Sequence, residues 1–163
     1  MSQSEYTDEI APADLRGKIF KGFRKSCHTM YKFDSVTEKD FAIVLENDSE
    51  VLKWLRPAMK QFNIYYDQDS SARYEPDFIV ETENTIYMIE TKARKDLDDK
   101  VVAAKKKAAE QFCAAATDYN LKNGGKRWIY AVIPHDEVRK NSSFKNLIAA
   151  AYDADRQGTI KFL

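Results

Sequence analysis

Residues 74–92 read YEPDFIVETENTIYMIETK, and the fold turns on how the apolar runs Phe78-Ile-Val80 and Ile86-Tyr-Met-Ile89 are joined. Both are short and rich in β-branched and aromatic residues, which favours strands over helices. Glu83-Asn84 between them supplies a polar turn, and an antiparallel hairpin centred there sets Thr82 opposite Thr85 and Asp77 opposite Glu90. Side chains alternate along a strand, so Asp77, Ile79 and Glu81 share a face with Ile86, Met88, Glu90 and Lys92. The opposite face carries Phe78, Val80, Tyr87, Ile89 and Thr91. Both faces are largely apolar, as in a sheet covered by helices on each side.

Outward from this hairpin the pattern predicts an α/β order. Leu15, Ile19 and Phe23, spaced by four, predict a helix from Ala13 to about Cys27, with Gly17 and Gly22 inside it. Ser35-Val-Thr-Glu38 reads as a capping box for a helix running through FAIVLE to about Asn47, and EVLKWL as a short helix stopping before Pro57. FNIYY, RYEPDFIVE and TIYMIETK read as three strands. Helical spacing from Leu97 to about Leu121, stopped by Asn123-Gly124-Gly125, gives the longest helix. RWIYAVI is a strand closed by Pro134, SFKNLIAAAYDA a helix and TIKFL a last strand. The whole is one domain, residues 1–163, with a helical basic arm at about 10–33.

Of the 163 residues, 44% are hydrophobic and 32% charged, a globular composition that excludes a disordered chain. No apolar run is long enough to span a membrane, and MSQSEYTDEI lacks the pattern of a signal peptide, so a soluble, cytoplasmic protein is expected. Cys27 and Cys113 form no C-x-x-C pair and read as reduced, mostly buried thiols; His28 and His135 are isolated. The 26 basic residues balance 26 acidic ones, which excludes nucleic-acid binding by bulk charge alone. Locally, Arg16, Lys18, Lys21, Arg24, Lys25 and Lys32 fall between Leu15 and Phe33 without one Asp or Glu. On the expected helix, Lys18, Lys21, Arg24 and Lys25 form either a phosphate-binding face or an ordinary solvated one. Trp54 and Trp128 follow the apolar pattern and read as core.

Two carboxylates meeting on neighbouring rungs repel, and burial aggravates this, so Asp77 and Glu90 need a compensating cation. Lys92 supplies one charge and a divalent ion would supply more. Hard oxygen ligands of this kind suit Mg²⁺, with Mn²⁺ as a substitute, and the metal with an adjacent ammonium suits phosphodiester hydrolysis. The alternative is a cross-strand ion-pair cluster at a sheet end.

Pro76-Asp77, twelve intervening residues and Glu90-Thr91-Lys92 resemble the PD…E-x-K signature of the restriction-endonuclease-like nucleases. From about Phe20 to Pro134, the segments FKGFRKSCHTMYKFDS, TEKDFAIVLE, VLKWLRPA, YEPDFIVET, IYMIETKA and GGKRWIYAVIPH resemble the C-terminal nuclease domain of type III restriction enzyme Res subunits and related helicase-nucleases. The resemblance implies a restriction-endonuclease-like core, a mixed central β-sheet flanked by helices on both faces, and a Mg²⁺-dependent DNA endonuclease of restriction or phage-related defence. It implies Asp77 and Glu90 as metal ligands, the Thr91 carbonyl as a further one and Lys92 as catalytic. Glu38 matches the position of an additional acidic ligand but is also the natural third residue of its capping box, with Glu46 a substitute. Relatives place a basic or amide side chain from the long helix near the metal, here Lys105 or Gln111. The chain lacks a G-x-x-x-x-G-K-[ST] phosphate loop, so it is either a nuclease domain cut from a larger enzyme or one that works alone or with a separate helicase, translocase or specificity module, and two-strand cutting would call for a homodimer or a partner subunit. A junction resolvase and a non-catalytic DNA-binding module that kept the fold are the alternatives.

Overall fold

The computed structural model describes residues 1–67 and 71–151; the expected last strand, TIKFL, and the end of the last expected helix lie outside them. The hairpin forms in the expected register. Strand β7 (Phe78–Glu81) pairs antiparallel with β8 (Thr85–Lys92), with Phe78 opposite Ile89 and Glu81 opposite Ile86. Thr82 closes the turn by donating from its amide to the Thr85 carbonyl at 2.9 Å. On the outer side of β7 lies β4 (Lys53–Leu55), antiparallel; on the outer side of β8 lies β9 (Arg127–Pro134), parallel. The central sheet is therefore mixed, in the order β4-β7-β8-β9.

Alternation along the hairpin divides the core in two. Phe78, Val80 and Ile89 pack with Phe41, Ala42 and Leu45 of helix α1 (Val36–Asn47), and with Phe144 and Leu147 of helix α3 (Phe144–Ala149). Ile79 and Met88 pack on the other face, against Ala109 and Cys113 of helix α2 (Lys100–Lys122). The fold is α/β, with a mixed central sheet covered by helices on both faces. Each helix starts where a side chain satisfies its free amides. Ser35 accepts from the Glu38 amide at 3.1 Å, Asp99 from that of Val101 at 2.7 Å and Ser143 from that of Asn146 at 3.1 Å.

Several expectations are corrected. Residues 13–27 are not a helix: a 3₁₀ turn at Pro12–Gly17 leads into strand β2 (Lys18–Lys21), which pairs parallel with β1 (Ser2–Glu5) and antiparallel with β3 (Met30–Tyr31). The spacing of Leu15, Ile19 and Phe23 misleads because Phe20, between them, is also fully buried, and Gly22 turns the chain with φ 95°. EVLKWL is not a helix either. Trp54 is wanted on the sheet, opposite Val80, and its indole Nε1 donates to Glu46 Oε1 at 2.9 Å. RYEPDFIVE contains two strands rather than one, because Pro76 lacks an amide for a continuous ladder. The first, β6 (Ala72–Tyr74), pairs with β5 (Ile64–Asp67) in a small antiparallel sheet against α2. Cys113 is buried as expected, but Cys27 is exposed. Trp54 is core; Trp128 is only partly buried, against Phe62 and Phe112. Among the described residues no helix is long and apolar enough to cross a membrane.

Candidate metal-dependent active site

The acidic end of the hairpin is organised around Asp77, one rung beyond the Phe78 and Ile89 pair. Its amide donates to the Ile89 carbonyl at 3.0 Å, which anchors the backbone. Its Oδ2 accepts from the Thr91 amide at 2.9 Å and the Thr91 hydroxyl at 3.2 Å. Thr91 belongs by alternation to the α1 side of the sheet, so Asp77 leans around the sheet end and stands between groups from both sides.

On the α2 side is Glu90, whose Oε2 accepts from the Tyr74 hydroxyl at 2.8 Å. Burial, and then the negative charge of Asp77, push the Glu90 carboxyl up to about 8, against the Tyr74 bond and the Lys92 and Lys105 ammonium groups. Asp77 is raised as well, first by burial, with the Thr91 bonds, Arg56 and Lys92 opposing. Burial raises both acids and the charge of Asp77 raises Glu90 further, as expected of neighbouring buried carboxylates with too little positive charge near them.

On the α1 side is Glu38. It completes the capping box in a displaced form, its Oε2 accepting from the Asp34 amide at 2.8 Å instead of that of Ser35. The same oxygen lies 3.2 Å from Arg56 Nη2. Burial raises the Glu38 carboxyl, Arg56 pulls it down and Asp77 pushes it up again, so Glu38 and Asp77 feel one another. Arg56 is held in turn by the Lys32 carbonyl at 2.7 Å and lies over the rings of Phe33 and Phe78.

A narrow cleft lined by Tyr74, Glu90, Lys92, Val102, Lys105 and Tyr130 opens beside the acids. Larger clefts lie elsewhere, one at the hairpin turn beside Thr82, Glu83 and Asn84. Lys105 projects from α2 over the Tyr66 ring at 5.3 Å, whereas Gln111 is exposed further along the helix. The structure thus brings together Asp77, Glu90, Lys92, Thr91 and Lys105, with Glu38 at the margin.

Other residues singled out in the sequence are placed elsewhere. Glu46 is no substitute for Glu38, because its two oxygens accept from the Arg24 amide at 3.0 Å, the Lys25 amide at 2.9 Å and the Trp54 indole. The helix face expected to align Lys18, Lys21, Arg24 and Lys25 does not exist. Lys18 and Lys21 are three apart on a strand and point to opposite sides. Lys21 pairs with Glu5 at 3.4 Å, and the Lys25 ammonium donates to the Asp48 carbonyl.

Sequence reasoning missed Tyr74, Tyr130 and Arg56. Tyr74 stood in view three residues before Asp77, but only as an aromatic in a strand. Arg56 carries no signal in the sequence, lying between the expected EVLKWL helix and Pro57.

Against this geometry, residues 44–119 match the TnsA-like endonuclease N-terminal family. The matched span holds Asp77, Glu90, Thr91, Lys92 and Lys105; Glu38 lies before it. The TnsA-like match supports a nuclease and implies the restriction-endonuclease-like fold, while it does not bear on the likeness to Res subunits. No curated protein matches the chain.

The donor set also fits a hard divalent ion. Among the described residues hydrogen bonds reach Asp77 Oδ2 and Glu90 Oε2, so each acid keeps one oxygen without such a partner. Among the described residues no group of three His, Cys, Asp or Glu forms a metal cluster. A two-carboxylate site of this kind suits an ion that retains several waters, as Mg²⁺ does.

Proposed function

We propose that the chain is a Mg²⁺-dependent DNA endonuclease whose metal is held by Asp77 and Glu90. The observation that carries this reading is the closeness of these two acids, both raised above their ordinary range with the Lys92 charge acting on each, and, among the described residues, hydrogen bonds to only one oxygen of each. The Thr91 carbonyl completes the ligand set by resemblance, whereas Glu38, the acid that the resemblance would add, is engaged by Arg56 and the Asp34 amide and stands at the margin of the site; Mn²⁺ substitutes for Mg²⁺.

When bound, the metal supplies Lewis acidity and lowers the pKa of a coordinated water. The protein's own residues do the rest. Thr91 fixes the orientation of Asp77 through two hydrogen bonds to one oxygen. Lys92, whose charge acts on both acids, orients the attacking water and offsets charge developing on the phosphate. Lys105, from α2, approaches the same cleft and holds a phosphate of the DNA backbone. The likeness to Res subunits supports a setting in restriction or phage defence, with a translocase or specificity module as partner.

Cleavage of supercoiled plasmid and of short linear and branched DNA, with Mg²⁺ and then with a chelator, tests the reading. Lys92→Ala is expected to cut about 10²- to 10³-fold more slowly while keeping its fold and its DNA affinity in a gel-shift assay. Unchanged cutting by Lys92→Ala rejects the assignment. Metal-independent DNA binding without turnover favours a binding module instead.

A further inference from the structure

The two acids are each gripped at one oxygen, but from different parts of the molecule. Asp77 is held by Thr91, its neighbour across the hairpin. Glu90 is held by Tyr74, which belongs to the small β5–β6 sheet, and among the described residues that sheet shares no ladder with the central one. We infer that Tyr74 is a positioning residue for the metal site, its hydroxyl fixing Glu90 so that the other carboxylate oxygen faces the ion. The inference rests on the metal-dependent reading above and adds a residue and a structural element to it.

The physical case rests on burial and direction. Tyr74 is 1% exposed, locked among Ile64, Ile79, Met88 and Ala109. A buried phenol needs a hydrogen-bond partner, and the hydroxyl finds Glu90 Oε2 at 2.8 Å. The ring is held edge-on to Tyr130 at 6.0 Å and 83°, which limits its swing. Glu90 has three rotatable side-chain bonds and sits at the mouth of a cleft, so without this contact its carboxylate would sample several rotamers before binding an ion. Partners that orient metal-ligating carboxylates characteristically contribute 10- to 100-fold in metal affinity. The β5–β6 sheet then has a functional purpose: it delivers one hydroxyl to Glu90.

Tyr74→Phe keeps the ring and removes only the hydroxyl. Titration of the full chain with Mn²⁺, followed by the electron paramagnetic resonance of the free ion, requires no DNA and no turnover. The Mn²⁺ dissociation constant is expected to rise about 10- to 100-fold, with cleavage recovering as Mn²⁺ is raised to saturation. Tyr65→Phe, which removes an exposed hydroxyl from the same small sheet, is expected to leave Mn²⁺ binding unchanged. A Tyr74→Phe protein with the parent affinity overturns the inference, as does a cleavage defect that saturating Mn²⁺ does not relieve.

A second measurement needs no variant. In the parent protein with ¹³C-labelled tyrosine, substoichiometric Mn²⁺ is expected to broaden the Tyr74 ring signal. That of Tyr119, fourteen residues beyond Lys105 on α2 and so about 21 Å along the helix, should stay sharp. A sharp Tyr74 signal in a protein that binds Mn²⁺ puts the ion away from Glu90 and overturns the ligand assignment together with the inference, as does a parent protein that takes up no Mn²⁺; a broadened Tyr74 signal in the parent together with parent affinity in Tyr74→Phe overturns the inference alone.

Discussion

The hairpin at residues 77–92 and the segment at residues 12–33 both carry apolar residues at regular spacing, yet only the first folds as its spacing suggests. The hairpin is closed on itself. Its turn is sealed by Thr82 and Thr85, and each strand's partner lies within a few residues of the turn, so alternation and register enforce one another. The 12–33 segment is held from far along the chain: Glu5 pairs with Lys21, the Glu46 carboxylate takes the Arg24 and Lys25 amides, and Trp54 bonds to the backbone of Lys25 and Cys27. A periodicity is decisive where its contacts are local and ambiguous where they are remote.

The largest effect expected from this contrast is at the centre of the hairpin. Phe78 is fully buried and its ring meets Phe41 at 4.9 Å and Trp54 at 5.9 Å, joining β7 to α1 and β4. Phe78→Ala is expected to cost about 3–5 kcal/mol in denaturant melts. A loss below about 1 kcal/mol would mean that the hairpin is not the part on which the rest packs.

A second effect arises from what the hairpin gathers. The folded-state pKa of Glu90 is raised from its ordinary 4.5 to about 8, mainly by burial and then by Asp77. Between those values the metal-free native state holds a proton that the unfolded chain releases. This contribution to stability is fully present below about 4.5 and is lost as pH rises through about 8. The melting temperature of the metal-free protein is therefore expected to fall by several degrees from pH 5 to pH 8, and the slope to flatten in Glu90→Gln. Mn²⁺ should raise the melting temperature most at the alkaline end, since binding requires the ionised carboxylate. A metal-free profile that rises across this window would show that the fold does not hold Glu90 protonated.

The same contrast explains what could be read from the sequence. The two-faced hairpin, the α1 cap at Ser35 and the long α2 are legible because each rests on neighbours within a turn or a strand, whereas β9 is legible as a strand but its parallel pairing with β8, some 42 residues earlier, is not. The cluster of Asp77, Glu90 and Lys92 followed from the register alone. Arg56 was illegible, since its partners Lys32, Glu38 and Phe78 are brought to it by three separate elements. Tyr74 escaped for a related reason: Pro76 divides its strand from β7, so no ladder rule connects it to Glu90. Trp54 was correctly read as core but wrongly placed on a helix, because a single buried side chain does not distinguish one period from the other.

The smallest effects discriminate most sharply between the two regions, because the helical and the extended readings of residues 13–27 give opposite signs. In a helix both Gly17 and Gly22 would be weak points, and alanine at either would stabilise by about 0.5–1 kcal/mol. In the observed fold Gly22 sits at φ 95°, where an added Cβ would lie 2.8 Å from Glu5 Oε2 and 3.3 Å from the Tyr6 ring. The Glu5 carboxylate ends a flexible side chain and can yield; the backbone conformation cannot, and it costs a residue with a Cβ about 1–2 kcal/mol. Gly17 has no atom within 4 Å of its virtual Cβ and no positive φ. Gly22→Ala is thus expected to lower stability by about 1–2 kcal/mol, and Gly17→Ala to leave it within about 0.5 kcal/mol of the parent, both measured by chemical denaturation. Stabilisation by both substitutions would restore the helix, and with it the single basic face that the β2 strand now divides.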